Sequence, residues 1–210
     1  MKFPATGLYA ITQTDNKSAD SILNEVAAAI RGGAVVVQYR DKNPVDAVFL
    51  GRELVKICHL QQVPLLINDD VELAVLTGAD GVHIGKDDGH IAEARKHLGP
   101  DAIIGVSCYD SVERAIDAQQ QGASYVAFGR FFPSGSKPLA APAHIETLQK
   151  ARLVLQVPIV AIGGILPENG AQLIAAGADV LAVIGGIFDH EPEQAARAYQ
   201  DLFNTKTTKQ

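Results

Sequence analysis

Short apolar runs alternate with helical segments from one end of the chain to the other, and this alternation constrains the fold more than any other feature. Most of the runs are nearly continuous hydrophobes rich in β-branched residues, as expected for parallel strands buried on both faces. Eight of them occupy residues 7–12, 34–40, 64–68, 81–84, 102–107, 125–129, 158–163 and 180–185. The intervening segments, such as 18–31 and 45–61, carry apolar residues at the three- and four-residue spacing of amphipathic helices.

A Gly-Ala pair precedes every second run. Glycine suits the left-handed backbone position that ends a helix, so each pair marks the end of a helix and the start of an even-numbered strand. The four pairs are Gly33-Ala34, Gly78-Ala79, Gly122-Ala123 and Gly177-Ala178. The chain therefore divides into four βαβα units. We predict an α/β fold, a single (β/α)8 TIM barrel over residues 1–203, with a polar, frayed tail at 204–210. A doubly wound open sheet is the alternative, but it rarely carries eight strands so regularly.

The composition limits the possible partners. The 210 residues carry a formal net charge of −6 without a basic block, which argues against nucleic acid or an anionic membrane as the main partner. The longest apolar run near the C-terminus, 180–188, is too short to span a bilayer. Cys58 and Cys108 lack metal-ligand spacing and are expected to be reduced core thiols. Without a signal-peptide pattern, we expect a cytoplasmic protein that acts on small molecules; no pattern predicts its oligomeric state.

Polar residues end the second predicted strand. The active site of a TIM barrel forms at the C-terminal ends of its strands, so residues there are the first candidates for a ligand site. Alternation along the strand places Gln38 and Arg40 on one face and their apolar neighbours on the other. The alternative is a solvated strand end in which Arg40, Asp41 and Lys42 form a local ion pair. We favour a ligand site, because a buried arginine beside an amide is costly without an anionic partner.

Carboxylates end the third and fourth predicted strands, and neighbouring strands deliver them to the same rim. They are Asp69, Asp70, Asp87 and Asp88. Clustered carboxylates repel one another unless a cation lies between them, and oxygen ligands suit Mg²⁺ better than zinc. Aspartate is also a favoured helix N-cap, a role open to Asp70 and Asp87. By spacing alone the two interpretations carry equal weight. His83 is interpreted as a satisfied strand-end histidine without a chemical role.

The connection after the sixth predicted strand is long, and long loops in compact domains are usually lids or binding loops. It offers hydroxyls, main-chain N–H groups and a point charge, which together suit a phosphate. These groups belong to Ser134, Gly135, Ser136 and Lys137. A solvated loop is the alternative. Glycine pairs end the seventh and eighth strands, at 163–164 and 185–186, where barrels commonly bind phosphate. Two anionic sites and a carboxylate pair for Mg²⁺ suggest a transfer that expels pyrophosphate.

Taken in order, these motifs resemble those of the thiamine phosphate synthase family. They are Gln-Tyr-Arg-Asp-Lys at 38–42, Asn-Asp-Asp at 68–70, His-Ile-Gly-Lys-Asp-Asp at 83–88, Gly-Val-Ser at 105–107, Pro-Ser-Gly-Ser-Lys at 133–137 and Gly-Gly-Ile at 163–165. Each motif is weak singly, whereas their combination is specific. The resemblance implies a Mg²⁺-dependent transferase that joins a hydroxymethylpyrimidine pyrophosphate to a thiazole phosphate and releases pyrophosphate.

The resemblance also implies a role for individual residues. Catalysis would involve Lys137, Arg40 and Ser107. The pyrimidine pyrophosphate would bind Gln38, Arg40, Asp41, Lys42, Asn68, Ser107 and Lys137. The thiazole phosphate would bind Ser134, Gly135, Ser136, Gly164, Ile184 and Gly185. Mg²⁺ would bind Asp69 and Asp88.

Four departures from the family pattern are visible. Lys86 stands where the family usually has Gln, Arg130 replaces a common Pro, both loop hydroxyls are Ser where Thr is usual, and Gly185 occupies a position that is often Ser. None removes a residue needed for ionisation of the pyrimidine. Two alternatives remain, a thiazole tautomerase of the same barrel family and a non-catalytic phosphate-binding barrel. The combined cationic and carboxylate set argues against both.

Overall fold

The eight predicted strands form a closed parallel barrel in a computed structural model of the protein, which describes residues 1–85, 90–133 and 141–204. Neighbouring strands follow the order of the sequence around the barrel, and β8 pairs with β1. The strands are β1 (Gly7–Ile11), β2 (Ala34–Tyr39), β3 (Leu65–Asn68), β4 (Gly81–Ile84), β5 (Ile103–Tyr109), β6 (Tyr125–Gly129), β7 (Ile159–Ile162) and β8 (Val180–Val183). The predicted TIM barrel is confirmed, and the open-sheet alternative is wrong.

A helix follows each strand and packs on the outside of the barrel. The helices are α1 (Ala19–Arg31), α2 (Ala47–Leu60), α3 (Val71–Thr77), α4 (His90–Leu98), α5 (Val112–Gln120), α6 (Ile145–Val154), α7 (Pro167–Ala175), the short α8 (Gly185–Phe188) and α9 (Pro192–Asn204). The eighth strand is thus followed by two helices. Among the helices of the described residues, none has the length and apolar character needed to cross a membrane. The predicted tail lies outside the described residues from 205 onward.

N-cap side chains explain where several helices begin, and glycines explain where several end. The N-cap side chains of Ser18, Asp46, Asp70 and Ser111 each accept a hydrogen bond from a main-chain N–H of the first helical turn. All four glycines of the Gly-Ala pairs have a positive φ, between 74° and 118°. The predicted role of these glycines, a backbone conformation that L side chains rarely adopt, is therefore confirmed.

The core has two layers separated by the sheet. Outward-facing strand residues such as Val37 and Tyr39 pack with the apolar faces of the helices. Inward-facing residues fill the barrel itself, and this cluster consists of Tyr9, Ile11, Val36, Leu66, Ile103, Tyr125, Ala127, Val160, Val180 and Ala182. The predicted alternation in β2 is confirmed, because Gln38 bonds to a member of the inner cluster while its two neighbours face the helices. Cys58 and Cys108 are buried free thiols, and burial raises the pKa of Cys58 to about 12.

A glycine in β5 allows one large side chain to cross the barrel interior. A Cβ at Gly105 would overlap the ring of Tyr125, which begins β6 and is fully buried. Phe3 stacks on the same ring, with 3.9 Å between the ring centroids and 14° between the ring planes. The Tyr125 ring is therefore held between two partners, and its hydroxyl is directed into the middle of the barrel.

Candidate active site

A chain of hydrogen bonds crosses the barrel interior and joins two of the predicted site residues. Gln38 Nε2 donates to the Tyr9 hydroxyl over 2.6 Å, and the Tyr9 and Tyr125 hydroxyls are 2.9 Å apart. The Tyr125 hydroxyl is 2.8 Å from His83 Nδ1, and His83 Nε2 is 2.9 Å from Ser107 Oγ. Five residues from five different strands thus connect Gln38 on β2 to Ser107 on β5.

The two tyrosines of this chain remain neutral phenols. Both are almost completely inaccessible to solvent, and burial raises the pKa of Tyr9 and of Tyr125 above the ordinary value for tyrosine. Each hydroxyl consequently keeps its proton and must place it on an acceptor, since an unsatisfied buried polar group is costly. The hydrogen bond between these two hydroxyls therefore joins two neutral groups.

Arg40 is fixed through its main chain. Thr12 Oγ1 donates to the Arg40 carbonyl over 3.0 Å and accepts from the Arg40 N–H over 2.9 Å. Arg40 itself is half-buried and Lys42 is exposed, so the arginine is less enclosed than the sequence suggested. Asp41 accepts hydrogen bonds from the Asn43 N–H and, at 3.5 Å, from the Tyr39 hydroxyl. Within the described part of the chain, no ion pair joins these three charged residues, and the predicted alternative of a local ion pair finds no support.

Asp69 and Asp70 are adjacent and do different things. Asp70 Oδ1 accepts the Leu73 N–H over 2.8 Å, which confirms its predicted N-cap role on α3. Asp69 has a φ of 60°, and its N–H donates to the carbonyl of His83 on β4. Its carboxylate accepts a hydrogen bond from Asn68 Nδ2 over 2.8 Å and faces Gly85 at the end of β4. Positive φ outside glycine is uncommon and concentrates at functional sites.

The fit of this region to a hard cation rests on one carboxylate. Asp69 supplies oxygen donors at the junction of β3 and β4, the type of ligand that Mg²⁺ prefers. Its predicted partner Asp88 lies outside the described residues, as do Lys86 and Asp87. In residues 1–85, 90–133 and 141–204, no group of three or more His, Cys, Asp or Glu residues is placed to hold a metal ion. The magnesium site therefore stays a prediction.

Glycines at the end of β7 accommodate the chain that leaves β6. A Cβ at Gly163 would overlap Arg130, and a Cβ at Gly164 would overlap the carbonyl oxygen of Pro133. Two main-chain hydrogen bonds, from the Phe131 N–H to the Ile162 carbonyl and from the Phe132 N–H to the Gly163 carbonyl, hold the two segments together. Glycine at these two positions thus leaves space for the backbone that follows β6, in addition to any space for a ligand. The loop residues Ser134, Gly135, Ser136 and Lys137 lie outside the described residues.

The end of β8 turns directly into the short helix α8. The N–H groups of Ile187 and Phe188 both donate to the Ile184 carbonyl, so the helix begins at Gly185. Asp189 folds back over Gly185, where a Cβ would overlap its carboxylate, and Gln13 Nε2 donates to that carboxylate over 2.9 Å. A Cβ at Gly186 would overlap the hydroxyl of Tyr199. Ile184 and Gly185 therefore present main-chain groups at the strand end.

The family model described as thiamine monophosphate synthase matches residues 8–187. The chain belongs to this family. Proteins named thiamine-phosphate synthase from Methylococcus capsulatus and Nitrosococcus oceani are 48% and 52% identical to it. These matches cover 97% and 94% of this chain and 92% of each relative. A solved structure named thiamine phosphate pyrophosphorylase from Pyrococcus furiosus has a TM-score of 0.85 at 30% identity and covers 96% of both chains.

Membership of the thiamine monophosphate synthase family confirms the predicted resemblance and gives no support to the tautomerase or to the non-catalytic barrel. Two members of the hydrogen-bonded chain, Tyr9 and Tyr125, were nevertheless missed, although both face the barrel interior. His83 was expected to have hydrogen-bond partners but was given no role in the site. The only available signal was that inward-facing polar side chains on neighbouring strands must find partners.

Proposed function

We propose that this chain joins 4-amino-2-methyl-5-(diphosphooxymethyl)pyrimidine to 4-methyl-5-(2-phosphoethyl)thiazole, forming thiamine phosphate and releasing pyrophosphate. The observation that carries the proposal is the identity of about one residue in two, over nearly the whole chain, with proteins named thiamine-phosphate synthase. The geometry agrees with it, because the mouth of the barrel has polar side chains on one side and glycine-rich main chain on the other.

The pyrimidine pyrophosphate is assigned to the ends of β2, β3 and β5. Gln38 and Ser107 are the ends of the hydrogen-bonded chain, and Asn68 lies between them on β3. Such neutral polar groups can orient a planar heterocycle. The diphosphate requires cations, and Arg40, Lys42 and Lys137 are proposed to supply them. Asp41, which belongs to the same motif, is proposed to line this end of the site.

Mg²⁺ is proposed to bind Asp69 and Asp88. The ion, when bound, would neutralise charge on the diphosphate and so make it a better leaving group. The support in the structure is the position of Asp69, whose backbone is fixed to β4 and whose carboxylate faces Gly85. Asn68 donates to that carboxylate and limits its rotation.

The thiazole phosphate is assigned to the ends of β7 and β8. Barrels frequently bind phosphate between the loops after these strands and the start of a short extra helix, and α8 is such a helix. Gly164, Ile184 and Gly185 would contribute main-chain groups. Ser134, Gly135 and Ser136 would contribute hydroxyls and N–H groups from the loop after β6.

The reaction breaks the bond between the pyrimidine methylene carbon and the diphosphate oxygen, and the electron pair leaves with pyrophosphate. The thiazole nitrogen then forms the new C–N bond with its lone pair. Arg40 and Lys137 would stabilise the departing charge, and Ser107 would hold the pyrimidine ring while its methylene carbon is cationic. The protein's contribution is therefore electrostatic and positional. Two buried thiols and an acidic net charge fit a cytoplasmic enzyme.

The test is a product assay with purified protein, both substrates and Mg²⁺. Mass spectrometry should detect thiamine phosphate and pyrophosphate in equal amounts. Omission of either substrate should abolish both products, and chelation of Mg²⁺ should reduce them. A protein that binds both phosphates without forming product would contradict the proposal.

A further inference from the structure

We propose that His83 is a positioning residue: its Nδ1 accepts from Tyr125 and its Nε2 donates to Ser107, which passes on the direction that the Gln38 amide gives to the hydrogen bonds, so that Ser107 donates a proton to a ligand and Gln38 accepts one. The proposal concerns a residue that the family motif contains but to which the sequence assigned no chemistry. It deepens the proposed function, and only its kinetic test depends on that function.

Which group donates and which accepts in each hydrogen bond follows from the protons that the five side chains carry. Gln38 Nε2 has no lone pair to offer and must donate to Tyr9. The buried Tyr9 hydroxyl then needs an acceptor for its own proton, and among the described residues its remaining partner is the Tyr125 oxygen. Tyr125, in turn, must donate to His83 Nδ1.

The imidazole then passes the direction on to Ser107. Because Nδ1 accepts, a neutral His83 carries its proton on Nε2, and that proton is donated to Ser107 Oγ. The Ser107 hydroxyl proton is left to point at an acceptor in the barrel mouth. At the other end, the Gln38 carbonyl oxygen is the group left to accept from a ligand. A reversed Gln38 amide would reverse every bond in the chain, so the roles of the two ends are always opposite.

Neighbouring residues hold the hydrogen-bonded side chains in place. Gly105 leaves the space that the Tyr125 ring occupies, and Phe3 stacks on that ring. The His83 and Tyr125 rings are also stacked, with centroids 5.6 Å apart and planes at 23°. Since burial raises the pKa of both tyrosines, neither hydroxyl loses its proton near neutral pH.

A donor at Ser107 and an acceptor at Gln38 match the edge of an aminopyrimidine, which carries amino N–H donors beside a ring-nitrogen acceptor. A pyrimidine with an oxo group in place of the amino group has the opposite pattern. Sites built around buried hydrogen bonds reject a ligand that leaves those groups unpaired. The direction of the chain is thus a means of choosing between two rings of nearly equal shape.

Nitrogen-15 NMR of histidine-labelled protein, without substrates, tests the direction. Spectra are recorded well above pH 6.5, the ordinary pKa of imidazole, and the His83 signals are assigned by their loss in His83→Gln. The expected result is a protonated Nε2 and an unprotonated, hydrogen-bonded Nδ1. Tyr125→Phe should move the Nδ1 signal toward that of a nitrogen without a hydrogen bond. Tyr9→Phe removes the neighbouring buried hydroxyl and is the matched control, because Tyr125 can still donate to Nδ1.

A proton on Nδ1 in the wild-type protein overturns the proposal. So does an equal response of Nδ1 to the two tyrosine variants, or no response to either. Because no substrate is present, these outcomes are independent of the reaction. A wild-type protein that forms no thiamine phosphate would instead overturn the proposed function and leave the tautomer result valid.

Kinetics test the consequence for the ligand. His83→Leu should raise the KM for the pyrimidine substrate roughly 3- to 10-fold, the effect of one neutral hydrogen bond, and leave the KM for the thiazole phosphate unchanged. His83→Gln should restore most of the loss, because its amide oxygen can accept from Tyr125 while its N–H donates to Ser107. Equal losses in both variants, with both melting like the wild type, would show that the direction of the chain has no role.

Discussion

The mouth of the barrel has two unlike sides. On the polar side, formed by Gln38, Asn68, His83 and Ser107, strands β2 to β5 end in side chains that bond to one another or to their neighbours. On the glycine side, formed by Gly163, Gly164, Gly185 and Gly186, strands β7 and β8 end in residues without side chains. The polar side fixes the direction of individual hydrogen bonds, whereas the glycine side fixes the path of the backbone.

This difference corresponds to two kinds of recognition. A planar heterocycle has donors and acceptors at set positions, so it is distinguished by side chains of fixed orientation. A phosphate has oxygens on all sides and is satisfied by main-chain N–H groups that converge on it. The proposed assignment of the pyrimidine to the polar side and of the thiazole phosphate to the glycine side follows this division.

The largest effect is expected at Lys137, in the connection after β6, whose first residues pack against the glycine side. If its ammonium binds the departing pyrophosphate, Lys137 contacts the substrate that is assigned to the polar side. The two substrates would then not be bound by separate sides of the mouth. Loss of one such donor typically costs about 3–4 kcal/mol, or roughly 10²–10³ in turnover. Lys137→Ala should therefore lower kcat far more than it raises the KM for the pyrimidine substrate, and Lys137→Arg should be partly active. A kcat within a few-fold of wild type would identify a merely solvated lysine.

A smaller effect is expected at Asp69, with Asp70 as its matched control. Asp69→Asn removes charge from the proposed magnesium site. The apparent affinity for Mg²⁺ should fall by at least the roughly 10- to 100-fold seen when partners outside the metal's ligands are changed, and excess Mg²⁺ should restore part of the activity. Asp70→Asn keeps a good N-cap on α3 and should behave like wild type. If both variants keep the wild-type Mg²⁺ dependence, Asp69 is not a ligand.

Gly164 tests whether the glycine side is built for the backbone or for the ligand. Gly164→Ala meets a positive φ of 62° and the carbonyl oxygen of Pro133. Gly122→Ala is the control, since Gly122 also has a positive φ, 91°, but no atom within 4 Å of the added Cβ. The control should lose about 1–2 kcal/mol of unfolding free energy from backbone strain, and Gly164→Ala a further ~1–3 kcal/mol from overpacking. Denaturant unfolding measures both.

The ligand half of that question is answered by kinetics. If the glycine side holds the thiazole phosphate, Gly164→Ala should raise the KM for that substrate and leave the KM for the pyrimidine substrate nearly unchanged. Equal increases in the two KM values would show only that the loop after β6 had been displaced.

The sequence predicted the polar side better than the glycine side. Alternation along β2 was enough to direct Gln38 into the barrel, because one face of a strand in a closed barrel always faces inward. His83 was correctly expected to be satisfied, but its partners Ser107 and Tyr125 lie 24 and 42 positions later in the chain, on other strands. Local patterns contain no information on which inward-facing side chains meet across the barrel.

The sequence predicted that glycine pairs end β7 and β8, but it predicted only part of what these glycines accommodate. The pattern of paired glycines after β7 and β8 is the same whether they admit a phosphate or another part of the protein. The structure shows that Gly186 accommodates the hydroxyl of Tyr199, which lies on α9. A glycine in the sequence does not indicate which group occupies the space beside it, so the contact with Tyr199 could be identified only from the structure.

The smallest effect is expected where the two sides are joined. Asp110, just after β5, accepts hydrogen bonds from the ring of His144 over 2.6 Å and from its main-chain N–H over 2.9 Å. His144 immediately precedes α6 and follows the loop that contains Lys137. The hydrogen bond and the charge of Asp110 raise the pKa of His144. Burial opposes ionisation of Asp110, but hydrogen bonds from Thr147 and His144 outweigh it and lower the pKa of that carboxyl.

These shifts fix the pH range in which the pair contributes. A raised pKa means that the folded state holds the His144 proton more tightly, so this contribution is complete below the unfolded pKa and is lost as the pH rises through the folded pKa. The contribution of Asp110 is lost instead as the pH falls through its lowered pKa. The melting-temperature difference between wild type and His144→Gln should therefore be largest in weakly acidic solution and vanish in alkaline solution. His190→Gln, a change at another exposed histidine, is the control. A His144→Gln difference that does not vary with pH would mean that the charge of the imidazole does not help to hold the two sides together.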